Sequence, residues 1–408
     1  MLLPSLFAFL LNFLPSATPA TVPLILWHEG SIFQLPTQAD PKVQSIFENY
    51  LEGLEARNLP LNQQGIWIQS HWATLADNRG TIPAPAASIT KVATTLVALE
   101  KWSLDHQFVT NLYIQGDVNN NILEGDLIIE AGGDPFFVWE DAIALGSTLE
   151  QLGIENITGN LIVVGDWQMN FRDNINTSAE NFKQALNVDD WSYTVEKQYR
   201  TMENPPIPPQ IKINGQVIIR ENLPDSSQLL HRHNSLTLRE ILRAMNVYSN
   251  NSIAEFLAQQ LGGGKEISAI ASRLSNVPPE EIQLINGSGL GVDNRISPRA
   301  ACRMLIAIEQ KLTDTNINLG DLFPVTGLDT VGTIEERTMP PGLPVKTGSL
   351  AVVSALSGAI DIDGEETIYF AIMNYGNGLD DLRARQDQLL TNLGNYWQIK
   401  PILPQSFP

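Results

Sequence analysis

The chain has 408 residues, 43% of them hydrophobic, enough to bury one large core or two moderate ones. Acidic side chains outnumber basic ones 45 to 25, a formal net charge of −20, which excludes a general nucleic-acid binder because no basic stripe is available for phosphates. Gly and Pro are dispersed, which excludes a collagen-like repeat, and the single cysteine, Cys302, excludes an intramolecular disulfide.

Residues 2–14 are an apolar run, followed by the small residues Ser16, Ala17, Thr18 and Ala20 around Pro19. This is the pattern of a signal peptide and its cleavage zone, with Ala20 the last residue removed, although no Lys or Arg precedes the run. The run is too short to span a bilayer, and no later stretch is long enough. An exported protein of the periplasm or cell envelope, without a stable transmembrane anchor, is expected.

Residues 42–58 place Val43, Ile46, Phe47, Tyr50, Leu51 and Leu54 at helical spacing. Residues 65–70 read as a strand, with a turn around Asp77-Asn78-Arg79-Gly80. Pro83 and Pro85 interrupt regular structure, and Ser88 opens a helix running to about Trp102. The texture then turns to short β-rich runs at 108–116, 122–131, 160–165 and 210–220, interrupted by one helix over 139–152. Helical patterns return at 237–246, 251–261, 265–274 and 298–310, the last holding Cys302 as a buried, inert thiol. Three successive strands follow at 343–350, 353–362 and 367–374, with a turn at 361–365 and a final helix over 379–393. Helix-rich ends around a β-rich middle imply one α/β domain interrupted by an insertion.

Three short patterns carry chemistry. In Ser88-Ile89-Thr90-Lys91 the hydroxyl and the amine share one face at a helix start. A serine hydroxyl needs a neighbouring base to take its proton, and an amine can be that base only if burial or a nearby cation lowers its pKa. Alone, Ser-x-x-Lys arises by chance roughly once in a chain this long. Ser249-Asn250-Asn251, between two helical patterns, supplies a hydroxyl and a carboxamide, though such residues ordinarily cap helices. Lys346-Thr347-Gly348, followed by Ser349, puts a cation and a glycine inside a strand. Glycine there marks the close approach of another backbone or a ligand.

In this order the set resembles the active site of the penicillin-binding proteins and serine β-lactamases. Further stretches are similar to the D-alanyl-D-alanine carboxypeptidases of the penicillin-binding-protein-4 (S13) type. These are Gly132-Gly133-Asp134-Pro135, Gly287-Ser288-Gly289-Leu290, Asn294-Arg295-Ile296-Ser297-Pro298 and Phe323-Pro324-Val325-Thr326-Gly327. The likeness runs from about 40 to 395. Two departures stand out. Asn286 occupies the position of the family's usual aspartate before Gly-Ser-Gly, and the interval between the first two motifs has room for one insertion of about 120 residues.

The resemblance implies an α/β (α+β) transpeptidase-like fold, an antiparallel sheet flanked by helices with an inserted β-rich domain. It also implies a catalytic domain built from 21–105 and 228–400, an insertion at 106–227 and a signal peptide at 1–20. The site residues it implies are Ser88 as nucleophile, Lys91 as general base, Ser249 as proton relay, Asn251 and Lys346. Thr347, Gly348 and Ser349 would bind substrate, and the backbone N–H groups of Ser88 and Ser349 would form the oxyanion hole. The expected activity is a serine-type D-Ala-D-Ala carboxypeptidase, with or without endopeptidase action on cross-links. It would act on peptidoglycan peptides, be acylated by β-lactams and need no metal or other cofactor.

Two alternatives stay open. A β-lactamase would need a deacylating base, and no Glu-x-x-Leu-Asn lies between the first two motifs. A non-catalytic cell-wall binding protein could keep the fold. His231-Arg232-His233 is set aside as a loop or surface feature, since no Cys or third His lies near in sequence. The absence of a Gly-x-Ser-x-Gly elbow leaves a Ser-His-Asp hydrolase without support.

Overall fold

The computed structural model describes residues 40–362 and 366–404, so the leader expected at 1–20 and part of the turn at 361–365 lie outside the described residues. The first helix, α1 (Pro41–Glu55), starts where the Asp40 carboxylate accepts the backbone N–H groups of Lys42 and Val43, with proline at the first helical position. It buries Val43, Ile46, Phe47, Tyr50 and Leu54. Strands β1 (Gly65–Gln69) and β2 (Thr74–Asn78) form a hairpin, and the two-residue β3 (Ala84–Pro85) leads through a 3₁₀ turn, Ala87–Ile89, into α2 (Thr90–Lys101). Ser88 therefore sits in the turn ahead of the α-helix rather than in its first turn.

The middle of the chain runs β4 (Gln107–Asn119), β5 (Ile122–Glu130), α3 (Trp139–Gln151), β6 (Asn156–Ile157), β7 (Leu161–Val164), α4 (Ile175–Ala185), α5 (Tyr193–Tyr199), β8 (Lys212–Ile213), β9 (Val217–Arg220) and β10 (Gln228–Thr237). Its seven-stranded sheet has the order β10-β4-β5-β6-β8, with β7 between β5 and β9. The β10-β4-β5 pairings are antiparallel and the rest parallel. Two features differ from the sequence expectation. Three helices occur here instead of one, because α4 and α5 are short and polar, and α4 buries only Ser178, Ala179, Phe182 and Ala185. His231-Arg232-His233 belongs to a strand, and His233 lies half-buried against Asp141 and the edge of Phe137.

The last part comprises α6 (Leu238–Val247), α7 (Asn251–Gln260), α8 (Gly263–Ser275), β11 (Ile282–Gln283), β12 (Arg295–Ile296), α9 (Pro298–Leu312), β13 (Val345–Leu350), β14 (Val353–Ile362), β15 (Glu366–Tyr375), α10 (Leu379–Tyr396) and β16 (Ile399–Lys400). Strands β13-β14-β15-β1-β2 form an antiparallel sheet, with β16 also paired to β14.

Alternation along these strands sorts the two faces. Ile66, Ile68, Ile368, Phe370 and Ile372 join a core with α1 and α10, while Trp67, Tyr369, Ala371 and Met373 face α2 and α9. The second face is rich in alanine, with Ala355, Ala359 and Ala371, which lets the helices approach closely. Cys302 on α9 is fully buried there, and burial pushes its thiol pKa well up, so the thiol is inert. A small sheet, β11-β12-β3, fastens the segment before Ser88, and Ala86 N–H donates to Asn294 O. Among the described residues no helix is long and apolar enough to cross a membrane.

Candidate active site

Three segments distant in sequence meet at Ser88. The 3₁₀ turn presents the hydroxyl, and Ala87 holds a left-handed φ of 47°, a conformation unfavourable for a residue with a Cβ. Lys91, one residue inside α2, is fully buried and donates to Ser88 Oγ (3.1 Å), Asn251 Oδ1 (2.8 Å) and Ser288 O (2.8 Å). Burial lowers its pKa to about 7, while the Glu255 carboxylate pulls the other way. A buried ammonium whose hydrogen bonds go to neutral oxygens loses its proton readily, so near neutral pH this amine is available as a base.

Ser249 lies between α6 and α7, also with left-handed φ (51°), and Asn250 caps α7 by accepting Ile253 N–H. The strained link turns Ser249 Oγ toward the fully buried Lys346 of β13, which donates to it at 3.1 Å and to Thr347 O at 2.9 Å. Burial and the nearby Lys91 both push the Lys346 pKa well down. When both are protonated the two amines repel each other, which disfavours the charged form of either one.

Gly348 has a steric reason to be glycine. A Cβ there would lie 2.9 Å from both Ser88 N and Ala86 O. Thr347 Oγ1 donates to Thr333 Oγ1 (2.7 Å), and the exposed Ser349 Oγ accepts from Arg383 Nη2 of α10 (3.0 Å). Ser88, Lys91, Asn251, Ser249 and Lys346 are thus linked in two hydrogen-bonded groups, with Gly348 packed against the Ser88 backbone and Thr347 and Ser349 following along β13.

Sequence reasoning missed four contributors: Ser288, Glu255, Thr333 and Arg383. Ser288 acts through its carbonyl, which leaves no mark on residue type. The other three lie on a helix, a 3₁₀ turn and a second helix with no motif around them. Asn286, at the departure from the family pattern, accepts Gly289 N–H through Oδ1 and donates to Leu290 O through Nδ2. A carboxylate could only accept, so the carboxamide suits this turn. Gly289 has a φ of 85°, and a Cβ on it would collide with Ala87 O. Among the described residues no group of three or more His, Cys, Asp or Glu side chains could hold a metal ion. Beside Asn251 opens a cleft of about 610 Å³, lined by Asp166, Phe171, Arg172, Ser252 and Glu255 among others.

This architecture recurs in solved structures. Penicillin binding protein 4 (dacB) from Haemophilus influenzae, complexed with a β-lactam, superposes with a TM-score of 0.65 at 21% identity over 87% of this chain and 98% of the other. A predatory peptidoglycan endopeptidase from Bdellovibrio bacteriovorus gives 0.69 at 21% identity over 86% and 95%. Its penicillin-G-acylated form, in complex with an immunity protein, gives 0.69 at 22% over the same shares. The fold is that of the penicillin-binding proteins.

Within that class the sequence matches one family over residues 49–173 and 163–396, and the chain belongs to the D-Ala-D-Ala carboxypeptidase 3 (S13) family. It is a serine-type carboxypeptidase, a hydrolase. A D-alanyl-D-alanine carboxypeptidase, DacB, of Haemophilus influenzae is 26% identical over 458 residues, covering 86% of this chain and 92% of that protein.

Proposed function

We propose that Ser88 attacks the carbonyl of the penultimate D-alanine of a peptidoglycan stem peptide. The Ser88 proton passes to Lys91 Nζ as the Oγ–carbon bond forms, and the resulting oxyanion is met by the backbone N–H groups of Ser88 and Ser349. Collapse breaks the peptide bond. The departing amine of the terminal D-alanine takes the Ser249 proton, and Ser249, whose hydroxyl is held by Lys346, is reprotonated by the proton that Lys91 took from Ser88, so that Lys91 is neutral again. Water then attacks the acyl carbon as its proton passes to Lys91, the bond from that carbon to Ser88 Oγ breaks, and Lys91 returns the proton to Oγ. Asn251 orients the acyl-side amide. Thr347, Ser349 and the Arg383 guanidinium behind Ser349 receive the terminal carboxylate.

The observation that carries this reading is the buried amine of Lys91, 3.1 Å from a half-buried hydroxyl, with a pKa brought down to about 7. The fold it shares with a β-lactam complex and a penicillin-acylated endopeptidase supports acylation of Ser88 by β-lactams and activity on cross-links as well as on free stems. On the same reading the enzyme works in the cell envelope, exported by a leader at 1–20, and 106–227 is an insertion in a catalytic domain made of 21–105 and 228–400. The separate seven-stranded sheet supports that division.

The test is Ser88→Ala. Covalent labelling by a fluorescent penicillin and release of D-alanine from a synthetic pentapeptide should both vanish, and labelling that survives would assign the nucleophile elsewhere. Purified muropeptides in the same assay, read by mass spectrometry, separate carboxypeptidase products from cleaved cross-links.

A further inference from the structure

Lys91 has three acceptors and, once neutral, two protons. If Asn251 Oδ1 and Ser288 O each keep one N–H, the lone pair is left pointing at Ser88 Oγ, the geometry a base needs. Asn251 is fixed at the start of a capped helix. Ser288 lies in a loop, and its carbonyl is only as well aimed as that loop is held.

The loop is held from two sides. Thr94 Oγ1 of α2 donates to Gly287 O at 2.7 Å. Glu255 of α7 accepts Gly287 N–H (3.3 Å) through Oε2 and Ser288 N–H (3.0 Å) through Oε1. Glu255 is four residues after Asn251, so both lie on one face of α7. Gly287 is pressed onto the same helix, since a Cβ there would lie 2.6 Å from Ala254 O.

We propose that Glu255 is a positioning residue for the reaction, fastening the 287–288 segment so that the Ser288 carbonyl holds Lys91 at Ser88, and balancing the charge of the amine across the same loop. The proposal rests on the reading of Lys91 as the base. The charged groups around this arrangement are Lys91 on α2, Lys346 on β13, and Asp166, Arg172 and Asp173, which share the lining of the neighbouring cleft with Glu255. Of the acidic ones, Glu255 is the carboxylate that acts on the titration of Lys91, and it favours the protonated amine.

The experiment is the pH profile of kcat/KM for D-alanine release by the full chain carrying Glu255→Gln, beside Glu255→Asp. Removing the charge should move the acidic limb about one unit to lower pH, and the loosened loop should lower the plateau by about 10- to 10²-fold. Glu255→Asp keeps the charge but shortens the reach, so its limb should stay in place while its plateau falls. An unshifted limb in Glu255→Gln overturns the proposal. If that variant does not fold, Glu255→Ala, which opens space toward the cleft instead of inserting an amide, reads the same limb. Penicillin labelling of the wild type separates the two levels. Labelling that depends on Ser88, with an unshifted limb, defeats only the inference about Glu255, whereas absent labelling defeats the catalytic reading itself.

Discussion

The two large sheets treat charge differently. Around the six-stranded sheet and its helices Lys91, Glu281, Asp321, Lys346 and Asp387 are buried, whereas between residues 107 and 237 Asp134 is the one buried charged side chain among the described residues. Asp321 accepts the backbone N–H of Asn318 across a 3₁₀ turn, and the other four buried charges of the first region divide again. Glu281 is paired with Arg299, and Asp387 with Arg337. Lys91 and Lys346 are held by hydroxyl, carboxamide and carbonyl oxygens, with no ion pair among the described residues. A buried charge met by its opposite is structural bracing. A buried amine met only by dipoles pays desolvation without full compensation, and that deficit lowers its pKa into the working range.

The sharpest way to break this comparison is Lys91→Met, which removes the amine while keeping an unbranched, buried side chain. If the uncompensated amine is there for chemistry, kcat/KM should fall by about 10²–10⁴, while the unfolding temperature holds or rises because the desolvation cost disappears. In the wild type the acidic limb of kcat/KM should lie near pH 7, where Lys91 gives up its proton. Activity therefore rises with pH through that point. A variant that loses stability but keeps its rate would make Lys91 bracing after all.

Gly348→Ala comes next. The added methyl lies 2.9 Å from the Ser88 backbone N, and neither neighbour is a flexible side-chain end that could yield. The strand and the turn must part by a few tenths of an ångström. That displacement at the reacting atom should cost up to about 10² in kcat/KM with little change in KM, measured on the same pentapeptide. A normal rate would show that β13 and the turn are not the rigid frame described above.

Much of the six-stranded half was legible in the sequence because each apolar run there is long and keeps one period. The strand of residues 353–362 and the helix carrying Val43, Ile46, Phe47 and Tyr50 are examples. The middle block was harder to read. β6 and β8 have two residues each and take their stability from parallel neighbours far along the chain, and α4 has only four buried positions. The residues of the three motifs were legible because their side chains carry the chemistry. The loop carbonyl of Ser288 and the carboxylate that fastens it were not, since backbone acceptors and their anchors depend on tertiary placement alone.

Asp134 tests the other side of the comparison, with the smallest effect. It sits beside Gly133, whose carbonyl accepts from Gln260 of α7, and its own carboxylate accepts Phe136 N–H at 2.8 Å. Burial raises its pKa to about 7 against the hydrogen bond from Phe136 N–H, with some help from Asp141 and a weaker opposing pull from His233. A folded-state pKa above the unfolded one means that the native state binds the extra proton. The stability this contributes is fully present below the unfolded pKa of about 4 and is lost as pH rises through 7. Asp134→Asn stays neutral at every pH and keeps an oxygen for Phe136 N–H. Its melting temperature should therefore exceed that of the wild type most clearly at about pH 8, with the gap narrowing as the pH falls and closing toward about pH 4. The gap should correspond to at most about 1.4 kcal/mol per pH unit across that window. A gap independent of pH would mean that Asp134 is ionised throughout and balanced by a partner. The middle sheet would then also hold a compensated buried charge, and the contrast between the two regions would fail on its weaker side.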